Sequence, residues 1–268
     1  MGANRMDLNM DLNRLKANWE HLAERDALWA ILTDASKASG GWNIAEFMIT
    51  GEAEIQTVMA HLRAIGVTPA RTGVALDFGC GVGRLTQPLA RQFAWCTGVD
   101  ISQTMIEKAQ VLNQCPNCRY LVSSDARLPL VDNSIAFLYS NIVLQHVPGR
   151  FAKEYLREFV RVLAPGGILV CGVQDSFAAP NLSSWITYLR LKLRPRSRLR
   201  DLLGTEQGDM QMHCLREWEI RQAIGEAQIV DMRFTNTAAK DYNGRLAYLS
   251  EPPHSGFIGR QYCIVKQR

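Results

Sequence analysis

The chain has no unbroken apolar stretch of the roughly 18 residues that a membrane-crossing helix needs. Its polar opening, Met1 to Arg14, also lacks the apolar centre of a secretory leader. A cytoplasmic location is the expectation. Gly2 invites N-terminal acylation, but Met6 stands where that signal requires Ser or Thr. There is no large excess of either charge: 30 Lys and Arg against 26 Asp and Glu leave a formal +4. Cysteine pairs are lacking too. Seven cysteines, an odd count scattered through the chain, exclude a disulfide scaffold and read as reduced, partly buried thiols. Cys115-Pro116-Asn117-Cys118 has metal or redox spacing, yet no second pair follows to complete four ligands, so no metal is expected.

With 268 residues, 47% hydrophobic and 21% charged, the chain has the means to bury the core of one α/β domain. Leu12, Leu15, Trp19 and Leu22 recur at helical spacing, and the pattern fades before Gly40-Gly41. A second helix is expected to start after Gly51, to carry Ile55, Val58, Met59, Leu62 and Ile65 on one face, and to end at Gly66. Residues 1–70 therefore read as a helical extension. From residue 73, short apolar runs alternate with helical patterns, the mark of βαβ units. Strands are predicted near 73–78, 95–100, 119–122, 135–140, 167–174, 228–235 and 260–266, with helices near 83–92, 103–113, 150–163 and 216–227. The whole reads as a doubly wound α/β fold: a seven-stranded, mostly parallel sheet with helices on both faces, spanning residues 71–268. Residues 176–215 break the alternation and read as an inserted cap.

The first of these strands runs into Asp77-Phe78-Gly79-Cys80-Gly81-Val82-Gly83-Arg84. Such glycines let backbone approach a ligand at the start of a helix. A dinucleotide fingerprint would place a third glycine where Arg84 stands, which weakens a nicotinamide cofactor. A carboxylate beside the loop would repel a pyrophosphate, but Asp77 suits a ligand carrying an α-ammonium and a sulfonium, as S-adenosylmethionine does. Asp100 closes the next strand, where an acid can accept from both ribose hydroxyls. Asp125 follows the third strand, where it can accept from an adenine amine. Singly, each acid could cap a turn; in this order they cover one cofactor.

Asp77 to Arg84, then Gly98-Val99-Asp100-Ile101-Ser102, then Leu163-Ala164-Pro165-Gly166-Gly167, resembles the class I S-adenosylmethionine-dependent methyltransferases over about residues 71–175. The bacterial small-molecule members are the nearest in kind, through Gly41-Trp42 to Phe47, Thr50 and Gly51, and through Leu144-Gln145-His146. The resemblance implies a Rossmann-like fold. It also implies that Gly79, Cys80 and Gly81 line the methionine portion, Asp100 and Ile101 the ribose, and Asp125 and Ala126 the adenine. By the same resemblance Met105 packs near the adenine and Asn141 offers a carbonyl to the ammonium. Ala164 departs from the family's commoner Lys or Arg.

Methyl transfer chiefly needs alignment and exclusion of water, with a base helpful when the acceptor is a hydroxyl. His146 is the first candidate for that base; His213, His254 and Asp175 follow. The expected reaction is transfer of a methyl group to an oxygen or nitrogen of a small molecule, leaving S-adenosylhomocysteine. Arg190, Lys192, Arg194, Arg196, Arg198 and Arg200 concentrate the basicity. With Trp185, Leu189 and Leu193 on one face, segment 184–200 could meet anionic lipid. A nucleic acid partner is not expected, since no separate RNA-binding module is present. Methylation of RNA or protein, or cofactor binding without turnover, are the alternatives.

Overall fold

The chain is described by a computed structural model covering residues 3–182, 185, 186, 189, 210–239 and 241–268, with only the helical backbone for 3–11. Helix α1 spans Ala3–Ile31 and breaks at Asp26 (φ −161°, ψ 83°). The Asp26 carboxylate accepts from Trp29 N at 3.2 Å, restarting the helix, and from Gly40 N at 2.7 Å, fixing the turn beyond it.

Helix α2 spans Ile44–Ala64, so it starts well before the expected point after Gly51. Two features explain the difference. Asn43 caps it by accepting from Ala45 N at 2.9 Å and Glu46 N at 3.2 Å. Gly51 is an interior residue because Arg84 passes so close that a Cβ would lie 2.1 Å from its carbonyl oxygen. Gly51 marks a contact, not a break.

The strands are β1 (Val74–Phe78), β2 (Trp95–Asp100), β3 (Cys118–Val122), β4 (Ile135–Ser140), β5 (Leu163–Ala178), β6 (Gln228–Thr235), β7 (Tyr248–Leu249) and β8 (Gly256–Val265). They form one sheet in the order β3-β2-β1-β4-β5-β8-β6-β7. The first five pair in parallel, and β8 runs antiparallel to both β5 and β6. The sheet thus has eight strands where seven were expected. The eighth, β7, is two residues long and carries no alternation for a pattern to reveal.

Among the described residues, the helices α3 (Thr86–Ala90), α4 (Gln103–Leu112), α5 (Gly149–Val162) and α6 (Glu217–Ile224) cover the sheet. Alternate strand residues face opposite sides. Leu76, Leu138 and Leu169 join Phe151, Tyr155 and Phe159 of α5 and Ile220 of α6. Ala75, Phe137 and Val170 join Ile55, Val58 and Leu62 of α2. Helix α2 is therefore integral to one face of the core. Of the expected cap, residues 210–215 return to the sheet, where Leu215 N donates to Gln174 O at 2.8 Å. The basic stretch 190–200 lies outside the described residues, as does Leu193 of the adjoining apolar face.

Strand order reverses between β1 and β4, which opens a crevice at the carboxyl ends of the parallel strands. Gly51→Ala tests the α2 packing. Alanine gains up to about 1 kcal/mol of helix propensity, but insertion against fixed backbone costs about 1–3 kcal/mol. Because the clash is with backbone, net destabilisation of about 1–2 kcal/mol is expected in thermal or denaturant unfolding. Equal or greater stability would contradict the packing.

Candidate active site

The crevice is a cleft walled by Phe78, Gly79, Cys80, Gly81, Asp100, Ile101, Met105, Ser123, Asn141, Ile142, Val143 and His146, with Leu15, Trp19 and Ile31 of α1 over it. Its floor is the turn out of β1. Gly79 N and Cys80 N both donate to Val99 O, at 2.8 and 3.0 Å. Gly79 (φ +75°) and Gly81 (φ +51°) adopt left-handed conformations. A Cβ on Gly79 would lie 2.3 Å from Val143, and one on Gly81 2.5 Å from Ile31. Glycine is required for the turn and for the close approach of both walls. Burial pushes the Cys80 thiol well above its usual range, so it is a protonated wall and no nucleophile.

Asp100 faces the cleft. Its carboxylate accepts from Gly81 N and Ser102 N, each at 2.9 Å. Burial raises its pKa, opposed by these amides. Each oxygen keeps a further lone pair for a ligand hydroxyl. Beyond it, Ser102 caps α4 by accepting from Met105 N at 3.1 Å. Glu20 of α1 adds a second cap, accepting from Gln103 N at 2.6 Å, Thr104 N at 3.1 Å and the Ser102 hydroxyl at 2.9 Å. Lys108 returns the contact by donating to Ala23 O at 2.7 Å. Thus α1 is latched across the cleft by charge-assisted bonds to the positive end of α4.

The end of β4 forms the opposite wall. Asn141 donates from Nδ2 to Glu54 Oε1 at 2.7 Å, while its own Oδ1 is buried without a partner. Ile142 follows at φ +53°, a left-handed conformation that is costly for a β-branched residue. Glu54, fully buried in α2, also accepts from Tyr139 OH at 2.8 Å, Arg84 NH2 at 2.8 Å and Tyr242 OH at 3.2 Å.

His146 sits in a short 3-10 turn, Leu144–His146, with its ring edge-on to Trp19 at 5.6 Å. Burial lowers its pKa to about 4, with the Gln211 carbonyl opposing and His213 assisting. At neutral pH it is therefore uncharged. Nδ1 lies 3.0 Å from Gln211 O, which assigns the proton to Nδ1 and leaves Nε2 as an acceptor, 3.2 Å from the Gln145 amide.

Of the residues singled out in the sequence, Gly79, Cys80, Gly81, Asp100, Ile101, Met105, Asn141 and His146 converge on this cleft. Three do not. Asp77 is wholly buried behind the loop, accepting from the Thr86 hydroxyl at 2.6 Å, and burial raises its pKa to about 7. It orders the start of α3 and does not line the cleft. The Asp125 side chain is exposed, and only its carbonyl engages the protein, at 3.5 Å from both Ser123 Oγ and Tyr155 OH. Ala126 packs against the core, and Ser123 takes the wall position instead. Among the lesser candidates, Asp175 lies 3.7 Å from Arg260 and His254 is exposed. His213 N donates to Gln145 O at 2.7 Å, behind the His146 turn. Cys115 and Cys118 donate to the carbonyls of Gln87 and Thr86, structural contacts. Arg84, Glu54, Trp19, Ile142 and Tyr155 were not singled out as site residues. Arg84 stands out in the sequence only where a third glycine is missing, and Glu54 does not stand out at all.

Comparison with known proteins agrees with this geometry. Residues 76–171 match the family model described as a methyltransferase domain. Trans-aconitate 2-methyltransferase of Variovorax paradoxus is 32% identical over 107 residues, 39% of this chain and 40% of that protein. Demethylmenaquinone methyltransferase of Staphylococcus haemolyticus is 36% identical over 101 residues, 36% of this chain and 41% of that protein. The matches thus span about 40% of the length of these curated relatives. The crystal structure of magnesium protoporphyrin IX methyltransferase from Synechocystis PCC 6803 with bound S-adenosylmethionine superposes with a TM-score of 0.55. It is 19% identical and is covered over 96% of this chain and 97% of that one, a likeness of fold. The segment from β1 to β5 carries the match to a methyltransferase domain, and the neighbour of like fold is solved with S-adenosylmethionine bound. Among the described residues no helix is long and apolar enough to cross a membrane.

The Glu20 latch has a pH signature. Burial works to raise the Glu20 pKa, but the Thr104 and Gln103 amides and the Ser102 hydroxyl outweigh it and hold it below the usual range. A depressed carboxyl stabilises the fold above its unfolded pKa and ceases to do so as pH falls through the folded value. Glu20→Gln is expected to lose about 1 kcal/mol at neutral pH. That deficit should shrink toward about pH 3 when unfolding is followed across the range. A deficit independent of pH would contradict the latch.

Proposed function

We propose that the chain transfers the methyl group of S-adenosylmethionine to an oxygen or nitrogen of an uncharged small molecule, with His146 accepting the acceptor's proton. The observation that supports this reading is a neutral imidazole facing the same cleft as the glycine loop and Asp100. The cofactor supplies a sulfonium-activated methyl group.

Asp100 would hold the ribose hydroxyls, while Gly79, Cys80 and Gly81 approach the amino-acid end without side-chain bulk. Ile101, Met105 and Ser123 wall the adenine side in place of the Asp125 side chain and Ala126. The residues fit such a ligand: a carboxylate with spare lone pairs, and apolar walls. Helix α1 excludes water, which strengthens every polar contact within. His146 Nε2, with the proton fixed on Nδ1, would exchange its bond from the Gln145 amide for the acceptor's hydroxyl proton, or for a proton of the ammonium that an amine becomes on attack. The charged residues of the cleft are Arg84, paired with Glu54, and Asp100. Among the described residues no unpaired cation lines it, which supports an uncharged acceptor over a polycarboxylate such as the one named for the Variovorax relative.

The test is release of S-adenosylhomocysteine across a panel of phenols, alcohols, amines and carboxylic acids, followed by pH profiles on the best acceptor. His146→Asn should lower kcat about 10²–10⁴-fold. The wild-type rate should fall on acidification only near pH 4, as the imidazole takes up its proton. An unchanged kcat in the variant, or turnover confined to acids, would sink this assignment.

A further inference from the structure

Gln174 is an amide where packing alone calls for an apolar side chain. It lies near the carboxyl end of β5 with no exposed surface, and its Oε1 finds no partner. Its Nε2 donates to Gln145 Oε1 at 2.8 Å. With that oxygen taken, the Gln145 amide turns its hydrogens the other way, and its Nε2 stands 3.2 Å from His146 Nε2. The opposite ring nitrogen, Nδ1, donates to Gln211 O at 3.0 Å. One line of hydrogen bonds therefore runs from β5 through the turn after β4 to the segment that returns to the sheet, and it passes through the imidazole ring. Backbone bonds fix the same residues: His213 N donates to Gln145 O at 2.7 Å, and Leu215 N to Gln174 O at 2.8 Å. Neither glutamine borders the cleft, so contact with a ligand accounts for neither.

We propose that Gln145, pinned by Gln174, is a positioning residue that sets the tautomer of His146, with the proton on Nδ1 and the lone pair on Nε2. The inference rests on the reading of His146 as the base. Which nitrogen of a neutral imidazole carries the proton is decided by the bonds that the ring makes. Here an amide donor faces one nitrogen and a carbonyl faces the other. Every member of the line is uncharged. A carboxylate in place of Gln145 would draw a second proton onto the ring. The imidazolium so formed would have no lone pair to offer and would repel a ligand bearing a sulfonium. The titratable side chain that acts on the ring, His213, also works against a second proton. Gln145 occupies Nε2 until an acceptor hydroxyl replaces it, and Gln174 keeps the amide in place for its return.

Long-range proton–nitrogen correlation spectra of the full chain, isotope-labelled at histidine, distinguish the two tautomers and follow the titration. The His146 signals are those lost in His146→Asn. Wild-type His146 should be a single Nδ1–H tautomer. In Gln145→Glu one carboxylate oxygen still accepts from Gln174 while the other faces Nε2. The titration midpoint should then rise from about pH 4 to about pH 5–7, and the acid limb of the kcat profile should move with it. Gln174→Leu changes a residue that does not touch the ring. With Gln145 unpinned, both tautomers should appear, and kcat should fall about two- to tenfold with the acceptor's KM little changed. Both variants are checked for folding by circular dichroism, and either one that folds decides the matter. An Nε2–H ring in the wild type, an unmoved midpoint in folded Gln145→Glu, or an unchanged single tautomer in folded Gln174→Leu would overturn the positioning role. The spectra need neither cofactor nor acceptor, so that failure is separate from the base assignment, whereas full activity in His146→Asn would remove both.

Discussion

The geometry of the molecule depends on one turn. On leaving β1 the backbone bends so that two successive amides, of Gly79 and Cys80, point at the Val99 carbonyl near the end of β2. That bend needs left-handed residues at 79 and 81, which glycine supplies at little steric cost. It also brings Gly81 N to Asp100, joining the ends of β1 and β2. Val143, just beyond β4, and Ile31 from α1 then close on the glycines in space that any side chain would fill. Strand order places the turn where the sheet reverses, so the same constraint that shapes the loop opens the cleft.

Two carboxylates, one half-buried and one buried, tie the N-terminal helices to this turn in different ways. Glu20 works at a partly exposed helix end, where pairing with amides costs little desolvation. Glu54 works in the core, where a charge is tolerated only because Arg84 and three neutral donors surround it. The first holds the roof of the cleft and the second its wall. Leu15, Trp19, Ala30 and Ile31 of α1 thus border the cleft, although the matched domain segment begins only at residue 76.

Much of the fold was legible because parallel strands buried on both faces leave short, uninterrupted apolar runs. β2 and β4 match their predicted bounds, and so does the antiparallel, half-exposed β6. Failures came where tertiary contact overrides local pattern. Gly51 looked like a helix boundary because the passage of Arg84 cannot be seen in sequence. β7 is too short to show a period, and β5 runs from Leu163 to Ala178 because β8 pairs along its length. At the cleft, the loop, Asp100 and His146 come together because each lies at or just beyond the carboxyl end of a parallel strand. Asp77 and Asp125 do not line the cleft, because spacing does not say which way a carboxylate turns. Glu54 carries no signal of its own.

The central claim is that the cleft beyond β1, β2 and β4 takes S-adenosylmethionine and not a dinucleotide. Calorimetric titration of the purified, cofactor-stripped wild-type protein with S-adenosylhomocysteine, with NADH as the control ligand, tests it most directly. Binding of the first at about micromolar Kd with no heat from the second is the predicted result. Binding of NADH without S-adenosylhomocysteine would contradict it and make the glycine loop a pyrophosphate site.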